Sequence, residues 1–332
     1  MEIDTATRPL TVWVVSDGRA GIENQALGLA EAVQRLTPAD IVVKRIRWRP
    51  RADWLPTALK IPALLDPSSD SVTPDPGQAW PDLWIATGRA TLPLSLTARH
   101  RSGGRTFVVQ TQDPRLSPSR FDMVVAPAHD ELAGDNVFRI TGSPHRVTPG
   151  RLAAAAPAFA EQLDALPRPR VAVLIGGRSK AFDLPAAHAA GLADRITRAV
   201  RAAGGSIMLT FSRRTPAAAR AIMIDRLKAL PGLIWDDQGA NPYFAFLHAA
   251  DHVLVTEDSA NMAAEAAATG HPVHILPMVP LKPGGKFARL HADLEHRGAT
   301  RPFADGFQPW TYTPLTETDR AARAVLEAMA AR

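Results

Sequence analysis

The sequence predicts an α/β protein built as two Rossmann-like domains facing across a cleft, each a parallel sheet with helices on both faces. Three observations carry this. Short apolar runs rich in β-branched residues alternate with helical stretches along the chain, the rhythm of βαβ units. In each half the first such run ends in a glycine-bearing polar turn: TVWVVS (11–16) runs into DGRAG, and VAVLI (171–175) into GGRSK. The chain has 332 residues, room for two domains of ordinary size, and the rhythm breaks around 141–170.

The first half reads in order as strand, turn and helix. Residues 11–16 are a buried strand, and after Asp17-Gly18-Arg19-Ala20-Gly21 a helix runs over about 23–36. A second strand spans 41–46, and residues 47–82 are irregular and proline-rich. Strands follow at 83–87, 106–111, 121–126 and 137–140. An alanine-rich helix near 152–166 then leads into Pro167 and Pro169, where a domain boundary falls. The second half has strands at 171–175, 206–211, 233–235, 253–256 and 272–276. Helices lie near 188–203, after Asn241-Pro242, and over 261–269. The predicted division is 1–150, a linker helix at 151–170, 171–312, and a C-terminal helix within 313–332 that packs back on the first domain.

Composition narrows the function classes. Hydrophobic residues at 46% and charged residues at 21% suit a soluble globular protein. The absence of cysteine excludes disulfides, thiol catalysis and Cys-ligated metal, and fits a reducing compartment. A net charge of +5 and a pI near 9.9 favour acidic partners. The opening MEIDTATRPL lacks the basic-then-apolar pattern of a signal peptide, and no apolar run is long enough to span a bilayer. The expected location is cytoplasmic, peripheral to the inner membrane at most.

The stretch 253–275, VLVTEDSANMAAEAAATGHPVHI, organises the candidate chemistry. A β-branched strand ends in Glu257-Asp258-Ser259, where Asp258 or Ser259 can cap the following helix. Strand, turn and helix N-terminus is an anion- and sugar-binding arrangement in open α/β sheets. Ala260 and Asn261 open the helix, and Asn261 and Glu265 share one face of it. The plainer alternative is a capped helix with a solvated glutamate. Gly176-Gly177 lets backbone approach a phosphate closely, with Ser179 beside it, or is a tight turn. Arg213-Arg214 offers an anion clamp, or surface arginines. The three loops follow strands of one presumed sheet, so they open on one edge.

Other signals are weaker. The first-domain loop lacks the G-x-G-x-x-G and Walker spacings. Asp17 and Asp113 each end a first-domain strand and are either a base or turn residues. His145 is a loop histidine, either a general base or a residue without a role. No metal-ligand cluster is visible, so neither metal nor cofactor is expected. Residues 44–65 interleave Arg45, Arg47, Arg49 and Arg51 with Trp48 and Trp54. That pattern fits an anionic membrane surface, or a basic loop with its tryptophans turned inward. No nucleic-acid module accompanies it, so no nucleic-acid partner is expected.

SDGRAGIENQALGLAEA (16–32), QTQDPR (110–115), GSPHRVTP (142–149), VLIGGRSKAF (173–182), TFSRRTP (210–216), NPYFAFLHAAD (241–251) and VTEDSANMAAEAAATGHPV (255–273) resemble the Elm-type mitochondrial-fission family over about 11–310. More distantly, the second half is similar to the lipid-linked N-acetylglucosaminyltransferase of cell-wall synthesis, a GT-B enzyme. That similarity implies a sugar nucleotide facing Gly176-Gly177 and a ribose held by Glu265. The loop 17–25 lacks the histidine of the cell-wall enzyme, so no catalytic base is carried over.

The expectation is a metal-independent glycosyltransferase taking a nucleotide-diphosphate sugar, with a lipid-linked or envelope-associated acceptor. Gly176, Gly177, Ser179, Arg213, Asp258, Ser259, Ala260, Asn261 and Glu265 would hold the nucleotide. Gly18, Gly21, Asn24 and Gln25 form the acceptor-side loop, with Asp17 or Asp113 as base. The alternatives are a nucleotide-sugar epimerase on the same fold, or a non-catalytic membrane or partner adaptor.

Overall fold

Strand residues alternate between the two faces of a sheet, so a strand covered on both faces must be apolar at every position. The first strand, β1 (Leu10–Ser16), behaves this way over Val12 to Val15. Val12 and Val14 enter the core beneath helix α1 (Ala20–Leu36), while Trp13 and Val15 enter a second core on the opposite face. A computed structural model describes residues 8–282 and 285–332, in two compact units. One unit extends to Arg146 and takes back Thr316–Arg332; the other is Val147–Leu315.

In the first unit β1 is followed by β2 (Ala39–Arg45), a short helix α2 (Pro50–Asp53), β3 (Leu83–Thr87), α3 (Leu92–Arg101), β4 (Phe107–Thr111), β5 (Met123–Pro127) and β6 (Val137–Ile140). The strands form one parallel sheet in the order β2-β1-β3-β4-β5-β6. The order reverses at β1, which leaves the carboxyl ends of β1 and β3 around a crevice position.

The second unit opens with α4 (Pro149–Ala155) and α5 (Ala160–Asp164). The expected linker helix is thus two short helices separated by a 3₁₀ turn at Ala156–Phe159, where Pro157 interrupts the ladder. Leu152 and Leu163 are buried with Phe246 in this unit's core, so the segment belongs to the second unit. Then follow β7 (Arg170–Ile175), β8 (Phe182–Asp183), α6 (Ala186–Ala202), β9 (Ser206–Phe211), α7 (Ala217–Leu227), β10 (Gly232–Ile234) and α8 (Tyr243–Ala249). The unit continues with β11 (His252–Thr256), α9 (Ala260–Ala267), β12 (Val273–Leu276), β13 (Val279–Pro280), α10 (Lys286–His296) and β14 (Thr300–Pro302). The sheet is parallel, in the order β10-β9-β7-β11-β12-β14, and β8 and β13 form a separate antiparallel ribbon. The last helix, α11 (Glu317–Ala330), lies in the first unit and buries Ala321, Ala322 and Val325 in the α1 core.

Candidate functional site

The order β9-β7-β11 makes neighbours of three strands whose carboxyl ends carry the loops at 176–180, 212–216 and 257–261. Asp258 is the knot between them. Its side chain is fully covered, accepts from the Gly177 N–H at 3.0 Å and the Thr256 hydroxyl at 2.7 Å, and pairs with Arg214 at 2.9 Å. A buried carboxylate is tolerated because three donors replace its water.

The glycine pair follows from this knot. A Cβ on Gly176 would lie 2.0 Å from Asp258 Oδ1, and one on Gly177 would lie 2.1 Å from the Arg214 carbonyl oxygen. The Gly176 N–H donates to Thr256 Oγ1 at 2.7 Å, so both glycine amides are engaged within the protein. The pair serves close packing here, which is the tight-turn alternative. Ser179 Oγ accepts from the Ala181 and Phe182 amides, each at 3.1 Å, and so folds its own loop. Arg214 is tied to Asp258, whereas Arg213 is exposed with no carboxylate partner among the described residues.

Helix α9 has the anticipated cap. Ser259 Oγ accepts from the Met262 amide at 3.4 Å, leaving Ala260 and Asn261 in the first turn. Glu265 is half-buried one turn on, and its Oε2 accepts from the Tyr243 hydroxyl of α8. Loss of hydration pushes the Glu265 carboxyl up to about 7, partly opposed by the Tyr243 bond. The same pair holds the Tyr243 hydroxyl well above its ordinary value, chiefly by burial.

Beside this loop a pocket of about 370 Å³ is lined by Phe182, Glu257, Pro277, His291 and Phe303 among others. Burial pushes the Glu257 carboxyl up and the His291 imidazole down. His291 Nε2 lies 2.8 Å from the Glu257 carbonyl oxygen, while its Nδ1 is buried without a partner. Sequence reasoning passed over Glu257 as a turn residue and missed Tyr243, Thr256 and His291. Only Glu257, inside the polar turn, carried a local signal.

In the first unit Asp17 pairs with Arg19 at 2.6 Å, and Asp113 with Arg115 at 3.0 Å, each also bonding the backbone two residues on. That is turn-residue behaviour. The loop with Gly18 leads into α1, where Gly21 accepts from Gln25 through its carbonyl and Gln25 accepts from Gln112 at 2.9 Å. Asn24 Oδ1 lies 3.5 Å from Arg146, which is held by Glu31. The buried acid is Glu23, which accepts from Ser16 and is clamped by Arg45. The Arg45 bond holds its carboxyl below the usual range. His145 is buried, and its amide donates to Thr318 at 3.1 Å. Among the described residues no helix is long and apolar enough to cross a membrane.

The profile of the family described as Mitochondrial fission ELM1 matches residues 20–329. The chain is similar to Mitochondrial fission protein ELM1 of Arabidopsis thaliana, 33% identical over 279 residues; the match covers 76% of this chain and 65% of that protein's length. It is 23% identical to an uncharacterized protein of Rickettsia prowazekii (strain Madrid E), covering 95% of this chain and 98% of that one. Among solved structures it is similar to the UDP-GlcNAc 2-epimerase of Methanocaldococcus jannaschii, with a TM-score of 0.54, 12% identity and 96% and 99% coverage. It is also similar to the UDP-GlcNAc 2-epimerase of Neisseria meningitidis bound to UDP-GlcNAc, with a TM-score of 0.52, 13% identity and 97% and 100% coverage. At such identity the likeness is one of fold, two Rossmann-like domains of the GT-B kind.

Proposed function

Because the chain belongs to the mitochondrial fission ELM1 family and its second unit carries the loop constellation described above, we propose that it binds a nucleotide-diphosphate sugar there and transfers the sugar to an acceptor. The observation that carries this reading is the convergence of three post-strand loops on Asp258, with Arg213 exposed and the first turn of α9 half-buried at the same sheet edge. In this reading Arg213, Ser179 and the first turn of α9 at Ala260 and Asn261 receive the diphosphate, and Glu265 receives the ribose. Asp258, Gly176, Gly177 and Arg214 act indirectly by fixing the loops. Arg178 and Lys180 on the same loops add positive field where charge develops on the leaving nucleotide, without calling on a metal. Gly18, Gly21, Asn24 and Gln25 remain assigned to the acceptor side. Of the carboxylates, Asp17 and Asp113 are tied to arginines, so the proton-transfer role falls to Glu257, whose burial favours the protonated form.

A second reading, epimerisation of the sugar, is supported by the names of the solved structures, which are UDP-GlcNAc 2-epimerases. Product analysis with UDP-GlcNAc as first probe separates the readings. Release of UDP that depends on an added acceptor supports transfer. A changed configuration at sugar C2 with the nucleotide still attached supports epimerisation. Glu257→Gln should lower turnover while leaving nucleotide affinity unchanged. Absence of both turnover and binding across a panel of nucleotide sugars would leave the adaptor reading.

A further inference from the structure

A second pocket lies wholly within the first unit, outside the nucleotide site. It measures about 620 Å³, and its lining includes Arg19, Arg47, Lys60 and Arg89, with Asp17 as the one carboxylate. These residues follow β1, β2 and β3, so the pocket sits at the carboxyl edge where the strand order reverses. Its wall is fixed: Trp48 is 5% exposed, and its indole N–H donates to the Ala90 carbonyl at 2.9 Å. Lys60 lies 5.3 Å from the Trp48 ring centre.

The rim has the opposite character. Trp54 is 92% exposed, Leu59 60% and Ile61 54%, with Leu55 between them also exposed. Four of the seven large apolar side chains exposed among the described residues therefore fall within 54–61. Leu55, Pro56, Thr57 and Lys60 of this stretch line the pocket itself. Arg49 and Arg51 are exposed on the same segment. The sequence left two readings of 44–65, and the structure divides them by residue: Trp48 turns inward and Trp54 outward. A clustered apolar rim costs free energy in water unless something covers it. An occupant that matches both parts needs an anionic head for the cations and apolar chains for the rim.

We propose that this pocket is a phosphate subsite for a phosphorylated lipid presented by an anionic bilayer, with Arg47 and Arg89 gripping the phosphate and Trp54, Leu59 and Ile61 entering the acyl boundary. This deepens the reading of a glycosyl-transfer enzyme, because it gives the chemical class of the acceptor. The test uses no nucleotide, so its failure and the failure of that reading are distinct.

The experiment is co-sedimentation of the full chain with vesicles of phosphatidylcholine alone, or of phosphatidylcholine containing phosphatidic acid or phosphatidylserine at matched charge. The native protein should prefer phosphatidic acid, whose phosphate is terminal. The double variant Arg47→Gln/Arg89→Gln should lose about 10-fold or more of that affinity, the range for charged hydrogen bonds. Trp54→Ser/Leu59→Ser should lose vesicle binding while keeping the weak affinity for inorganic phosphate measured by calorimetry. Unchanged melting temperatures show that the variants are folded; Lys60→Gln stands in for the arginine pair, and Ile61→Ser for the rim pair, where either is not. Equal binding to all three vesicles overturns the proposal, as does phosphatidic acid binding that survives both arginine changes. Inorganic phosphate held as tightly as the lipid would make the pocket a soluble-phosphate site. A single-stranded polynucleotide that outcompetes the vesicles would overturn the lipid assignment.

Discussion

Glu265 carries the most specific expectations at the scale of single residues. In the proposed site its ionised form would accept two ribose hydroxyls, and its carboxyl is pushed up to about 7. Ribonucleotide affinity should therefore fall as pH drops from about 8 to about 6, whereas a 2′-deoxynucleotide, missing one bond, should lose less. Calorimetric titration at the two pH values checks this; parallel losses for both nucleotides would remove Glu265 from the ribose site. Stability has its own sign. The folded value of Glu265 lies above the ordinary carboxylate value of 4.5, so its favourable contribution is complete below that value and is lost as pH rises to about 7. Glu265→Gln, which retains an acceptor for Tyr243, should flatten the stability curve across that window. The buried pair His252 and His274 acts oppositely. Their ring nitrogens lie 3.3 Å apart among Phe303, Phe307 and Trp310. Burial, then His252 and Arg301, push His274 down to about 4, and burial lowers His252 as well. Depressed values give a contribution present above the ordinary value of 6.5 and lost as pH falls towards about 4. In the Glu265→Gln background, melting temperature should therefore drop on acidification through that range; a flat profile contradicts the burial of neutral imidazoles.

Elements explain why so much of the fold was legible. The inner strands of both sheets, such as Leu83–Thr87, Arg170–Ile175 and His252–Thr256, are short, rich in β-branched and apolar residues and buried along their whole length, so they stand out from the alanine-rich helices around them. Thr300–Pro302 escaped notice: a three-residue edge strand with two exposed positions has no run to detect. The turn after β11 was legible for a local reason, since the cap, the first turn and Glu265 lie within one short segment. The partners were not legible, because Asp258 with Arg214 and Glu265 with Tyr243 are tertiary pairs without sequence periodicity. Helix glycines illustrate the same limit. Gly28 in α1 and Gly191 in α6 look alike in sequence. A Cβ at Gly28 would lie 2.4 Å from the His145 backbone, while one at Gly191 would meet nothing within 4 Å. Gly28→Ala should destabilise by about 1–3 kcal/mol through overpacking against backbone. Gly191→Ala should stabilise by about 0.5–1 kcal/mol through helix propensity. Denaturant titration of the two variants decides; equal effects would contradict the packing account.

At the scale of the whole molecule, each unit holds its own cores, and the chain's last helix is structural for the first. Beyond the apolar contacts of α11, Glu317 accepts from the Thr141 amide at 2.8 Å and Thr318 from that of His145. Removing 316–332 should strip hydrogen-exchange protection from β1, β3 and β4 while β7, β9 and β11 keep theirs. Uniform loss across both units would mean that they do not unfold separately. One fold hosts many chemistries, so activity is decided at the site. Binding of a nucleoside diphosphate by the second unit through Arg213 is tested by titration calorimetry of nucleoside, nucleoside monophosphate and nucleoside diphosphate against native protein and Arg213→Ala. Native affinity should rise with each phosphate, and the variant should lose roughly 10- to 100-fold for the diphosphate with little change for the nucleoside. Equal losses for nucleoside and diphosphate, or no native preference for the diphosphate, would contradict it.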